Sequence, residues 1–284
     1  TAEADLDITS ILPTYSLGGS ADLERLSGEI EGQLRTARRP FTLAVVGEFK
    51  VGKSTLINAL LGLSGDDALS AKDDPDTACS ILLGYRDEDS PEACLCFEDG
   101  SEQPVSWEEA RRLTSQVWLN DHPEDRAKVS KLVEVQYNIR NELLAVLCIN
   151  DLPGTGSRYW KEHSELTHDK MKQADAILWV VGDKEPSGTG KKDLDILAEC
   201  SARVVPIVNV IEDPSADPPL QRDDETVRIV TRVLKRQFAH CFSPLFPEPL
   251  HIASKVIELE RAEERPDDLV LENAGWTELC GVLE

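Results

Sequence analysis

The chain has 284 residues and a formal charge of −23, from 53 acidic against 30 basic side chains. Such a surface repels phosphate backbones and anionic lipid headgroups alike, which argues against nucleic acid as a partner and leaves membrane contact to regions outside this chain. The length suits one large α/β domain with helical additions; no run approaches the ~18 apolar residues of a spanning helix, and no signal-peptide pattern stands out.

Seven scattered cysteines without a C-x-x-C pair suit a reducing compartment, so a cytoplasmic location is expected. Cys148 and Cys200 sit among apolar neighbours and are expected in the core. Cys94 and Cys96, on one face of an expected strand, lack the further ligands of a metal centre. The chain starts at Thr1 without Met and ends inside a helix-like segment, the pattern of a piece of something longer.

In chain order, Leu23, Leu26, Ile30 and Leu34 recur at helical spacing, so residues 21–38 are expected to form an amphipathic helix, ended by Pro40. Phe41–Val46 is a short apolar, β-prone run. Gly47-Glu-Phe-Lys-Val-Gly-Lys-Ser54 follows, a complete G-x-x-x-x-G-K-[ST] pattern, and Thr55–Leu61 then continues at helical spacing. Strand, glycine turn and helix start are the setting a phosphate loop needs. Gly47 and Gly52 let backbone N–H groups approach phosphate oxygens, and the helix dipole favours the same anion. The amides of Lys50, Val51, Gly52 and Thr55 belong to this cradle, Lys53 is expected on the β- and γ-phosphates, and the Ser54 hydroxyl on Mg²⁺.

Residues 62–79 are polar and loop-like. Ser80–Tyr85 and Glu92–Glu98 have strand character with a turn at Asp99-Gly100, Ser106–Asn120 opens with a capping box, and Leu132–Ile139 alternates as a half-exposed strand. Asn141-Glu142 is expected to turn into a wholly apolar buried strand, Leu143–Ile149. A parallel-sheet rhythm then follows: strand 176–181, helix 190–200, strand 204–211, helix 222–239, short strand 250–253, and a closing helix marked by Trp276, Leu279 and Val282.

The strand before Asp151 delivers Asp151-Leu-Pro-Gly154, a D-x-x-G element. Asp151 is expected to hold Mg²⁺ through water, and the Gly154 N–H to sense a γ-phosphate. Thr77, ahead of a strand, fits the switch threonine that completes the Mg²⁺ shell. For the base, the strand from Val204 delivers Asn209-Val-Ile-Glu212-Asp213 where guanine readers carry Asn/Thr-Lys-x-Asp. Val210 replaces the stacking lysine, and either Glu212 or Asp213 is the guanine-clasping carboxylate. Ser254 and Lys255 stand where a last base-contacting loop would come. Guanine is favoured over adenine because a carboxylate facing two donors discriminates strongly.

These motifs together, Val45 to Gly62, Asp76-Thr-Ala78 and Asp151 to Thr155, resemble the GTPase domain of the dynamin superfamily, especially its bacterial dynamin-like members. The 74 positions between Thr77 and Asp151 exceed the interval in small Ras-like GTPases and leave room for extra strands and a helix. The resemblance implies a P-loop GTPase domain over residues 40–284, α/β in class, with a mostly parallel central sheet extended by an insertion and flanked by N- and C-terminal helices. It implies that residues 1–39 begin an adjoining helical bundle.

It further implies GTP hydrolysis with Mg²⁺, stimulated by homodimerisation across the nucleotide face, and coupling to membrane remodelling through regions absent here, with a peripheral position at the inner face of a membrane. No Gln follows the D-x-x-G element; Thr155 stands there. Lys50 occupies the slot where dynamin recruits a monovalent cation and guanylate-binding proteins carry an arginine finger. Its ammonium is therefore a candidate catalytic charge beside Lys53, Thr77, Asp151 and Gly154. Two alternatives share the same residues: a partner-driven switch of the Era or septin kind, and a nucleotide-binding scaffold with little hydrolysis.

Overall fold

The computed structural model describes residues 40–48, 50–65, 68–69, 79–129, 131–154, 164–182, 197–200, 203–210, 212–215, 219, 221 and 223–283. The helix expected over 21–38, most of that over 190–200, and Thr77 lie outside them. Phe41–Glu284 forms one compact unit.

Nine strands build one sheet: β1 (Phe41–Gly47), β2 (Ser80–Tyr85), β3 (Ala93–Phe97), β4 (Glu102–Val105), β5 (Leu132–Ile139), β6 (Leu147–Asp151), β7 (Ala176–Val181), β8 (Val204–Asn209) and β9 (Leu250–Ile252), in the order β4-β3-β5-β2-β6-β1-β7-β8-β9. β6, β1, β7, β8 and β9 run parallel, and β2 also runs parallel to β5. The β2–β6, β3–β4 and β3–β5 pairings are antiparallel. The sheet is thus mostly parallel, and the strands between β1 and β6 in sequence extend it on one side as the insertion. The β1, β7 and β8 runs are almost wholly buried, as strands covered on both faces must be.

The described helices are α1 (Lys53–Leu61), α2 (Trp107–Thr114), α3 (Gln116–Asp121), α4 (Pro123–Val129), α5 (Ser164–Gln173), α6 (Asp224–Phe238), α7 (Ser254–Arg261), α8 (Asp268–Asn273) and α9 (Trp276–Leu283). Leu56–Leu61 of α1 are all buried, so this helix is core on every side. Its C-terminal carbonyls would be orphaned there. The Arg261 guanidinium donates to the carbonyls of Ala59 and Leu60, and Asn141 Nδ2 to that of Leu61 at 2.8 Å.

Several boundaries differ from the sequence pattern. Leu143–Ala145 is a 3-10 turn, and the buried strand begins only at Leu147. The cause is Asn141, whose Oδ1 accepts from Leu143 N at 3.0 Å and whose carbonyl accepts from Leu144 N at 3.1 Å, closing the turn before extension can start. Val146, apolar in the pattern, is 68% exposed. Cys148 is half-buried, whereas Cys200 is buried as expected. The helix expected over 106–120 is two helices, because Ser115 takes an extended backbone and caps α3, its Oγ accepting from Trp118 N at 3.2 Å. β4, α4, α5, α7 and α8 had no place in the sequence reading.

Candidate functional site

The carboxyl edge of the parallel strands collects the motif residues, as expected of an open α/β sheet. β1 lies between β6 and β7, with Val45 registered opposite Asp151 and Gly47 opposite Val180. A Cβ on Gly47 would lie 2.2 Å from the Val180 carbonyl oxygen, so only glycine lets the chain leave β1 here. Gly52 has φ +88°, and a Cβ there would lie 2.2 Å from Asn209 Nδ2. Lys50, exposed at the crown of the loop, is held at φ +62°, a left-handed conformation that costs a non-glycine residue roughly 1 kcal/mol.

Gly52 is also the N-cap of α1, with no side-chain cap. The first intrahelical bond runs from Leu56 N to Gly52 O at 2.9 Å, so the amides of Lys53, Ser54 and Thr55 have no acceptor within the helix. Lys53 is 9% exposed and folds back over the loop, its Nζ donating to the carbonyls of Glu48 (3.1 Å) and Gly47 (3.3 Å). Ser54 Oγ donates to Asp151 Oδ2 at 3.0 Å. Asp151 is fully buried, and its Oδ1 has no hydrogen-bond partner among the described residues. Burial raises its pKa, against the opposing pull of the Lys53 charge and the Ser54 hydrogen bond. A buried carboxylate oxygen without a donor calls for a cation or an ordered water. With Ser54 Oγ beside it, the donor set is all oxygen and suits a hard divalent ion such as Mg²⁺.

Leu152, Pro153 and Gly154 continue buried from β6, and Leu152 N donates to Val45 O at 3.2 Å, which holds the D-x-x-G turn against β1. Asn209, at the end of β8, donates from Nδ2 to Val51 O at 2.9 Å and accepts at Oδ1 from both Ser254 N and Ser254 Oγ. Lys255 pairs with Glu258 one turn along α7, at 2.9 Å. Asp213 Oδ1 accepts from Ser215 N (3.0 Å) and Oγ (2.6 Å), closing its own turn, while Glu212 is half-buried beside it. The structure therefore brings Gly47, Val51, Gly52, Lys53, Ser54, Asp151 and Asn209 together around one loop, with Ser254 behind it.

Sequence reasoning missed the supports of this edge. Asn58 holds Leu69 on both sides, accepting from its N–H at 2.8 Å and donating to its carbonyl at 3.1 Å. Behind Asp151, Ser80 Oγ donates to Asn150 Oδ1 at 2.8 Å and accepts from Lys170 Nζ at 3.0 Å, and Lys170 also pairs with Glu134. A polar residue inside an apolar strand, as Asn150 is in β6, was the one visible hint.

A glycine-built loop between β1 and α1, facing a carboxylate at the end of the adjacent parallel strand, defines the class of a P-loop nucleotide-binding α/β domain. The Dynamin family model matches residues 43–199, more than half of the chain, and the chain belongs to that family and has the fold of its GTPase domain. A curated relative, the uncharacterized protein in the xynA 3′ region of Caldicellulosiruptor sp. (strain Rt8B.4), is 26% identical over 219 residues, 76% of this chain and 50% of that protein. The chain thus spans half the length of that relative. Two solved structures of an oligomerised bacterial dynamin pair, described as providing a mechanism for long-range sensing and tethering of membranes, superpose with TM-scores of 0.59 and 0.56. Identity is 18% in both; 97% and 91% of this chain are covered, against 42% and 36% of theirs, so the likeness bears on the fold alone.

Proposed function

We propose that this chain binds GTP and GDP, hydrolyses GTP with Mg²⁺, and turns over fastest as a homodimer joined across the nucleotide face. In the full-length protein this cycle would drive membrane remodelling from the cytoplasmic side. Among the described residues no helix is long and apolar enough to cross a membrane. The observation that carries the reading is the Ser54–Asp151 pair: a buried carboxylate, one oxygen of which has no partner among the described residues, beside a lysine and the start of a helix without a side-chain cap.

Ser54 and Asp151 would hold Mg²⁺, with Thr77 joining them. When bound, the ion neutralises charge on the β- and γ-phosphate oxygens. The amides of residues 50–55 would hold the phosphate chain, and Lys53 would exchange its loop carbonyls for phosphate oxygens. Gly154 N–H would meet the γ-phosphate and position the attacking water. Lys50 would bring its ammonium to the β–γ bridge, a role supported by its strained, exposed place at the loop crown. Of the two carboxylates for the guanine edge, Glu212 is the better candidate, since Asp213 is occupied by Ser215.

Titration of labelled GTP, ATP and GDP with and without Mg²⁺, followed by turnover against protein concentration, tests this. Mg²⁺-linked preference for GTP and cooperative acceleration are expected. A flat, slow rate would favour a partner-driven switch. Binding without turnover would favour the scaffold reading, which Val210 in the lysine position motivates.

A further inference from the structure

A groove beside α6 reverses the charge of the surface around it. A cavity of about 570 Å³ lies between this helix and the edge strand β9, lined by Arg228, Thr231, Arg232, Lys235, Arg236 and His251, with no carboxylate among the described residues of its wall. The five helical residues stand at i, i+3, i+4, i+7 and i+8, one face of α6. Basic residues in a last turn are ordinary complements of the helix dipole, which accounts for Lys235 and Arg236. Arg228 and Arg232 lie too early for that. Lys235 pairs with Glu248 at 2.6 Å, whereas Arg228, Arg232 and Arg236 make no ion pair among the described residues. That is unusual in a chain with 53 acidic side chains to pair with.

The floor is built. Thr231 Oγ1 donates its proton to Val227 O at 2.8 Å, so it accepts at 2.8 Å from His251 Nε2–H, which fixes the ring in the groove. Four residues of helix rise about 6 Å, so the three arginines span about 12 Å, longer than one phosphate group. The volume falls in the small-molecule range of roughly 300–1,000 Å³. Charge screening decides the kind of anion. With a Debye length of about 8 Å, a compact ligand in the groove meets the arginines and is shielded from more distant carboxylates, whereas a bilayer or a nucleic acid would lie across the acidic surface.

We propose that the α6–β9 groove is a second ligand site, for a compact anion carrying several phosphate groups held by Arg228, Arg232 and Arg236. None of its lining residues belongs to the candidate nucleotide site, so it stands whether or not GTP is the nucleotide.

The test uses inorganic tripolyphosphate as the probe, by calorimetry without Mg²⁺, on the full chain, the triple variant R228Q/R232Q/R236Q, and Lys53→Ala, which removes phosphate-loop binding. Lys53→Ala should retain the groove binding, and the triple variant should weaken it at least about tenfold, with unchanged circular dichroism and melting. Arg232→Gln alone should lose part of it, which covers the case of a misfolded triple variant. A second arm uses phosphatidylcholine vesicles with and without a polyphosphorylated lipid. Arginine-dependent binding there as well assigns the phosphates to a headgroup, and in the first arm alone to a soluble ligand. No binding in either arm, or binding that ignores the arginines, overturns the proposal.

Discussion

Asn209 and Ser254 are joined twice: Asn209 Oδ1 accepts from the Ser254 N–H at 3.2 Å and from its hydroxyl at 2.7 Å. The other end of the same amide donates to Val51 O at 2.9 Å, so one side chain ties the end of β8 to the phosphate loop and to the start of α7. The Asn209–Ser254 bonds lie in the interior, since Asn209 is 7% and Ser254 1% exposed, while the bond to half-buried Val51 lies nearer the surface. Asn209→Ala should destabilise the fold by about 2 kcal/mol, because it leaves buried donors and an acceptor unpaired. It should also weaken nucleotide binding by loosening the loop. Urea unfolding and GTP titration check both, and Asn209→Asp, which sets a buried carboxylate oxygen against the Val51 carbonyl, should be no milder than alanine.

Lys170 offers a sharper test of packing. Its ammonium pairs with Glu134 and donates to Ser80 Oγ, with side chains only 15% and 16% exposed for the lysine and the glutamate. Lys170→Met leaves that carboxylate buried and alone, and should cost about 3 kcal/mol. Adding Glu134→Leu should recover much of the loss, since a buried pair is often replaceable by apolar side chains. If the double variant is as unstable as the single, the pair is not what holds β5 against α5.

Removing the metal-side hydroxyl separates binding from folding. Ser54 is half-buried, so Ser54→Ala should leave stability within about 1 kcal/mol of the parent. Its GTP affinity in Mg²⁺ should drop toward the Mg²⁺-free value of the parent. Affinity that still rises with Mg²⁺ in the variant would detach Ser54 from the ion.

Lys50 links strain to activity. At φ +62°, Lys50→Gly should gain up to about 1 kcal/mol of stability while stimulated GTP turnover falls about 100-fold. Thermal melts and steady-state rates on one preparation read the two effects. Unchanged turnover, or a steep K⁺ requirement in the native protein, would remove the ammonium from the chemistry.

Burial sets the pH behaviour of Cys79. Its thiol is pushed from an ordinary 9.0 to about 12, mainly by desolvation, with Lys170 pulling the other way. The folded state therefore keeps this proton where the unfolded chain loses it. The contribution to stability is complete below pH 9 and declines as pH rises toward 12. Urea midpoints of the parent and Cys79→Ala should converge over that range, and Cys79 should be the slowest thiol to react with a disulfide reagent in the native state.

Much of the site was legible because its chemistry is local. Gly47 to Ser54 is a contiguous run whose strand and helix flanks are plain in hydrophobic spacing, and Asp151 follows directly from an apolar strand. Where a short polar side chain competes with the backbone, spacing misleads: Asn141 delays β6 and Ser115 splits one helix into two. The α7 and α8 helices and the supports at Asn58, Lys170 and Arg261 act over long separations, and no local period records them.

Taken by itself, the order of residues determined the phosphate loop, the D-x-x-G turn, the place of Asn209 and the alternation that makes an α/β sheet, because each rests on neighbours within a few positions. Tertiary structure alone decided that Asp151 buries, beside Ser54, an oxygen with no partner among the described residues, and that three arginines of an acidic chain share one groove with His251 of β9. Those facts depend on burial and on distances between remote segments, and in a folded chain such proximity is set by how the layers pack.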